Sequence, residues 1–158
     1  MIIRDATPDD AEKASAVLRA SISALCVADH GNDPDILGRW LANKTPETIA
    51  AWALAEARSL LVAAEAEAIL AVGGVADSGE ITANYVAPAA RFRGISAAML
   101  AALEARAIQR GAVQATLLST ETAHRFYLAR GYQDVGLPQG KFGTTASYPM
   151  AKPLADTR

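Results

Sequence analysis

The chain has a single cysteine, Cys26, no excess of basic over acidic residues, and no apolar run long enough to span a bilayer. One thiol excludes an intrachain disulfide and any zinc site built from several thiolates, and it fits a reducing compartment. A formal net charge of -2 with a pI near 5.7 gives no global attraction to nucleic acid or anionic membrane. Any anion site must therefore be local. The apolar runs at 60 to 64 and 69 to 76 are too short to cross a membrane, and Arg4 and Asp5 bring charge too early for a signal peptide. These absences lead to the expectation of a cytoplasmic protein with no nucleic-acid, membrane or metal partner. What is present is 158 residues, 51% hydrophobic and 20% charged, enough to bury one core without staples. We read residues 1–158 as one domain, with 155–158 expected as a flexible tail.

Residues 2 to 6 read as a short strand. Thr7-Pro8 then offers a cap and first-turn proline, and Ala14, Val17, Leu18, Ile22 and Leu25 recur at helical spacing. The segment from Asp29 to Pro34 breaks that pattern. Asp33-Pro34 and Thr45-Pro46 repeat the cap signature ahead of two short helices carrying Trp40 and Trp52. These tryptophans are expected either to anchor the core or to line a pocket. Leu60 to Ala64, Ile69 to Ala76 and Ile81 to Val86 are short apolar runs separated by turn residues, which predicts an antiparallel meander. A helical pattern from Ile95 closes at Arg110-Gly111, a basic last turn followed by a left-handed cap. Val113 to Leu117 alternates as a strand, and Thr122 to Arg130 reads as a short helix stopped by Gly131. Strands follow at Tyr132 to Val135 and around Thr145 to Leu154. This order predicts a mixed α/β (α+β) domain whose sheet has helices on its faces.

The chemistry-bearing segment is Val86-Ala87-Pro88-Ala89-Ala90-Arg91-Phe92-Arg93-Gly94-Ile95-Ser96, which joins a strand to the start of the longest helical pattern. Unpaired amides at a helix start, its dipole and two arginines can hold a diphosphate, while Gly94 lets backbone approach the ligand. Read alone, Arg91 and Arg93 are as well explained by a solvated loop. Tyr127 read alone is a core aromatic beside Phe126, and Glu80 a surface strand residue. His124 and Arg125 are expected to face water.

Arg91-x-x-Gly94-x-Ser96 resembles the acyl-CoA loop of the GNAT superfamily, [Q/R]-x-x-G-x-[G/A]. Tyr85-Val86-x-Pro88 resembles the end of that family's fourth strand. Ala123-x-x-Phe126-Tyr127-x-x-x-Gly131-Tyr132 resembles its later A-x-x-[FL]-Y-x-x-x-G-[FY] signature. Three points depart from the pattern: Ser96 replaces glycine or alanine, the asparagine often found before the A-x-x-F-Y run is absent, which leaves Thr120 or Thr122 for contacts to the pantetheine arm, and Phe92 stands where glycine is frequent. A positive φ there would strain a phenylalanine.

The resemblance implies a GNAT-like, mostly antiparallel sheet of about six to seven strands with splayed central strands. It also implies acetyl-CoA as cofactor and acetyl transfer to a primary amine of a small-molecule or peptide acceptor by direct attack. The runner-up function is a non-catalytic acyl-CoA-binding or sensing module, and a homodimer is an expectation by analogy alone. By the same resemblance the cofactor contacts would be Tyr85, Val86, Arg91, Phe92, Arg93, Gly94, Ile95, Ser96, Ala97, Thr120, Ala123 and Phe126, with Tyr127 as general acid. Glu80 matches the glutamate base of one branch of the family, and strand alternation would place Glu80, Thr82 and Asn84 on one face. Asp29, His30 and Asn84 are the acceptor-side candidates.

Overall fold

The computed structural model describes residues 1–140, 142–144 and 146–154; the expected tail at 155–158 and the start of the last strand at Thr145 lie outside them. The described residues form seven strands and six helices in two sheets. In the first sheet, β1 (Ile2–Asp5), β2 (Arg58–Glu65), β3 (Ala68–Ala76) and β4 (Ile81–Val86) pair antiparallel in that order. The second sheet runs β5 (Gln114–Thr120), β7 (Ser147–Pro153), β6 (Gln133–Asp134), again antiparallel.

The apolar runs in β2 and β3 are nearly continuous because both faces are covered. Leu60 and Val62 pack with Val72 against Ala14 and Leu18 of α1 (Ala11–Leu25) and Ile49 of α4 (Pro46–Leu54). Leu61, Ala63 and Val75 face Met99 and Leu103 of α5 (Ile95–Gln109). Gly73 sets that second contact, since a Cβ there would meet Met99 Sδ at 2.6 Å. The proline caps behave as expected: Asp33 Oδ1 accepts from Asp35 N and Ile36 N ahead of α3 (Pro34–Leu41), and Thr45 Oγ1 accepts from Thr48 N ahead of α4. At the first cap, Pro8–Asp10 forms a 3-10 turn, with Thr7 N donating to Asp10 Oδ2.

The expected break at Asp29 comes two residues later. Val27–His30 makes one more helical turn, α2, and the chain turns at Gly31 and Asn32, whose φ values are 58° and 60°. Side-chain bonds from Asp29 and His30 hold this turn, so local propensity alone could not reveal it. The last helix, α6 (His124–Ala129), is followed by a strand shorter than expected, since only Gln133 and Asp134 pair with β7.

Candidate active site

Between the two sheets, β4 and β5 run parallel but touch at one bridge, Glu80 with Thr116, closed by Thr116 N donating to Gly79 O at 3.0 Å. Beyond it the strands diverge into a wedge. A small cavity of about 60 Å³ lies in the wedge, lined by Asn84, Thr120, Ala123 and Tyr127 among others. A larger cavity of about 270 Å³ shares its wall through Thr82, Tyr85 and Thr120 and extends beneath Trp40, Trp52 and Phe142.

A β-bulge assigns the candidate residues to these two spaces. Gly74 pairs with Ala83 while Val75 pairs with Ile81, so Thr82 has no partner of its own. The extra residue reverses the alternation. Glu80 therefore shares a face with Ala83 and Tyr85 and lines the larger cavity, whereas Asn84 lies on the opposite face and lines the wedge. This corrects the expectation that Glu80, Thr82 and Asn84 share one face. Ala87 N donates to Leu70 O, so alternation along the ladder turns the Val86 amide toward the wedge and the Tyr85 amide toward β3.

At the mouth of the wedge, α5 starts without a side-chain cap and without an acidic residue in its first turn. Its first helical bond is Ala98 N to Gly94 O at 3.1 Å, so the amides of Ile95, Ser96 and Ala97 precede the ladder. Gly94 has φ 77°, and a Cβ there would meet nothing within 4 Å. Arg91 lies over the Phe92 ring at 5.0 Å, and Arg93 bonds Glu65 at 3.0 Å. Deeper in, Asn84 Oδ1 is buried with no hydrogen-bond partner. Unpaired amides backed by a helix dipole fit a diphosphate, and a buried orphan acceptor fits an amide N–H of a pantetheine arm. On those two observations the residues present fit coenzyme A.

Phe92 has φ 66° and is 93% exposed. The left-handed conformation costs an L-residue about 1–2 kcal/mol, and no core packing offsets it here. We expect Phe92→Gly to melt above Phe92→Ala by about 2–4 °C, the equivalent of about 1 kcal/mol in a chain this size. Scanning calorimetry on the two variants checks this, and equal midpoints would mean that the loop relaxes without strain.

Tyr127 is 6% exposed and projects from α6 between Phe126 and Tyr132, with ring centroids at 5.1 and 5.4 Å. Burial pushes its phenol up to about 12, and Asn84 pulls the other way. Tyr132 is fixed in turn by its hydroxyl donating to Glu104 Oε2 at 2.7 Å, and Lys152 bonds the same carboxylate. The start of α6 is held by Thr120 Oγ1, which accepts from Ala123 N at 3.1 Å.

Asp29 and His30 serve this scaffold. Asp29 is 2% exposed, and its carboxylate accepts from Glu121 N at 2.6 Å and from Thr122 N and Oγ1. It touches the larger cavity, but its lone pairs tie α2 to the turn that carries Tyr127. His30 is 1% exposed; Nε2 donates to Ile22 O and Nδ1 accepts from Asn32 N, both at 2.9 Å. With both ring nitrogens engaged, it packs edge-on against Trp40 rather than facing an acceptor. Phe126 backs Tyr127 and carries the Arg130 guanidinium over its ring at 3.9 Å. His124, expected to face water, instead bonds Asp134 and stacks on Tyr148 at 3.8 Å. Cys26 is buried, and its thiol is pushed up to about 12 by burial and by Asp29, so it is not a reactive group.

Sequence reasoning missed Arg58. It is half-buried, lies over the Trp52 ring at 5.4 Å and lines the larger cavity. The signal was a lone cation at the start of a strand whose centre, Leu60 to Ala64, is apolar. Phe142 was missed too, because its place at the cavity depends on contacts distant along the chain: its ring stacks on Trp40 at 6.4 Å, and the Arg39 guanidinium donates to Phe142 O at 2.9 Å.

Comparison with known proteins agrees with the fold. A family model described as an acetyltransferase (GNAT) domain matches residues 39–154. Among solved structures, a GCN5-related N-acetyltransferase from Rhodopseudomonas palustris is 25% identical with a TM-score of 0.85, over 97% of this chain and 95% of that one. The PaiA N-acetyltransferase from Thermoplasma acidophilum, solved in complex with coenzyme A, is 16% identical with a TM-score of 0.82, over 96% and 98%. An aminoglycoside 6'-N-acetyltransferase from Enterococcus faecium is 17% identical with a TM-score of 0.73, over 100% and 99%. No curated protein sequence matches the chain.

Proposed function

The chain belongs to the GNAT acetyltransferase family, and on that premise we propose that it acts as one domain to transfer an acetyl group from acetyl-CoA to a primary amine, by direct attack in a ternary complex. The observation that carries this reading is the meeting, in one wedge, of an uncapped helix start, an unpartnered buried Asn84 Oδ1 and a buried tyrosine. When bound, acetyl-CoA supplies an acyl thioester open to an amine, with a thiolate as leaving group.

The amides of Ile95, Ser96 and Ala97, with Arg91 nearby, hold the diphosphate. Arg93 contributes less, because Glu65 shares its charge. Asn84 Oδ1 and the free edge of β4 orient the pantetheine arm as an added strand. The Val86 amide, turned away from β3, would be the fixed donor for the thioester carbonyl when acetyl-CoA is bound, and such donors are worth more in a site shielded from water than in water. Tyr127 holds its proton for the departing sulfur. Glu80, across the bulge, takes up a proton from the acceptor amine, directly or through water, since an alkylamine of reference pKa about 10.4 is mostly protonated at neutral pH.

An assay of CoA release across an amine panel tests the reading: acetyl-CoA must be consumed only when an amine is present. Coenzyme binding without turnover on any amine would make the chain a sensing module instead.

A further inference from the structure

The larger cavity carries information about its acceptor that the catalytic groups do not. Among the described residues its charged lining is Lys44, Arg58, Asp29 and Glu80. The Asp29 carboxylate is committed to the Glu121 and Thr122 amides, which leaves the Arg58 guanidinium and the Glu80 carboxylate as the charged groups to match to an acceptor. Lys44 Nζ donates to Asn43 Oδ1. No carboxylate among the described residues bonds the Arg58 guanidinium, although it is half-buried against Trp52. A guanidinium held on an aromatic face keeps its planar fork available for a carboxylate.

The sheet places this arginine relative to the proposed base. Arg58 pairs with Ala76, and Ala76 N donates to Glu80 O at 2.8 Å. Arg58 and Glu80 thus stand two strands apart, about 10 Å between main chains, both lining the same cavity. The rest of the wall mixes aromatic side chains, Trp40, Trp52, Tyr85 and Phe142, with polar ones such as Asn43, Thr82 and Thr120. At about 270 Å³ the space falls just below the range of drug-sized ligand cavities, about 300 to 1,000 Å³, which suits a small acceptor.

Resting on the acetyltransferase reading above, we propose that the acceptor is a small amine that also bears a carboxylate and an apolar body, an amino-acid-class substrate, with Arg58 as its carboxylate-binding residue and Glu80 facing the amine. A polycation is disfavoured by the same lining, because the Arg58 guanidinium would stand against its further ammonium groups. That separates this cavity from the acceptor class named for the Enterococcus faecium neighbour.

The test compares matched acceptors: phenylalanine, its amide, phenethylamine, a diamine and an aminoglycoside, each with acetyl-CoA and with CoA release as readout. The expected result is a kcat/KM for phenylalanine roughly 10- to 100-fold above its amide and phenethylamine, the range a charge-assisted hydrogen bond supplies. Arg58→Leu should erase that preference, and Arg58→Lys should keep part of it. A second readout needs no turnover. The chain's two tryptophans both line the cavity, so intrinsic fluorescence should respond to N-acetylphenylalanine at concentrations where N-acetylphenethylamine has no effect, and Arg58→Leu should lose the response.

Equal or faster turnover of the carboxylate-free amines, or of the polycations, overturns this proposal while leaving acetyl transfer standing. Equal losses for every amine in a folded Arg58→Leu would reduce Arg58 to a structural role and overturn it as well. Turnover of no amine at all, with coenzyme still bound, would overturn the acetyltransferase reading and this proposal with it.

Discussion

Replacing Tyr127 with phenylalanine should lower kcat by about 10²- to 10⁴-fold, the usual contribution of a positioned proton donor, while coenzyme A affinity stays within about twofold. The substitution removes one hydroxyl and keeps the ring between Phe126 and Tyr132. The fold should therefore survive it. Burial holds the phenol up at about 12, so Tyr127 carries its proton throughout the neutral range and can give it to a departing thiolate. The sign of the linkage follows: a folded pKa above the unfolded value of about 10 favours the native state below pH 10 and loses that favour as pH rises toward 12. A loss of activity at neutral or mildly alkaline pH would thus belong to another group. Steady-state kinetics beside calorimetric titration of coenzyme A separates the two effects. Unchanged kcat would remove Tyr127 from the chemistry.

The second large effect is expected far from any ligand. Gly79→Ala should cost about 2–5 kcal/mol, from about 1–2 for a left-handed backbone and about 1–3 for overpacking. In a chain this size that lowers the melting temperature by on the order of 10 °C. Gly79 has φ 97°, and a Cβ there would lie 2.1 Å from Gln114 O, a main-chain atom that cannot rotate away. The matched control is Gly111→Ala, with φ 94° and nothing within 4 Å of its Cβ, which should show the conformational cost alone. Gly79 O also accepts the Thr116 amide that closes the wedge, so a folded Gly79→Ala protein should lose activity beyond its loss of stability. Equal destabilisation by the two alanines would mean that the β4–β5 apex is not fixed at Gly79.

Much of this was legible in the residues. Proline caps at Pro34 and Pro46, the meander from 60 to 86 and the helix closed by Gly111 depend on local chemistry and on short-range apolar period, and they fold as that chemistry predicts. The junction from Arg91 to Ser96 was legible as a strand-to-helix turn, with Gly94 in the left-handed conformation just before α5; its arginines, read alone, fit a solvated loop equally well. What sequence could not supply were features set by contacts distant along the chain. The bulge at Thr82 exists only in the pairing of β3 with β4, and it moved Glu80 and Asn84 to opposite faces. Asp29 and His30 were acceptor-side candidates because the family resemblance would place their segment near the acceptor pocket. Their partners, ninety-odd residues on for Asp29 and eight back for His30 Nε2, turn them inward. Arg58 gave only the signal of an isolated cation, and its stacking on Trp52 depends on how α4 lies beside β2.

The central claim is that the start of α5 binds an anion, and one substitution tests it with two readouts of opposite sign. Ala97 sits in the first turn of α5, where an added carboxylate favours the helix by about 0.3–1 kcal/mol through its dipole but meets the same amides that a diphosphate would occupy. Calorimetric titration of coenzyme A into wild type and Ala97→Glu, with their melting temperatures measured alongside, is the measurement. One site per chain in the wild type, with binding lost in a variant that melts no lower, is the predicted result. Absence of binding heat in the wild type, or equal affinity in both proteins, would contradict the account.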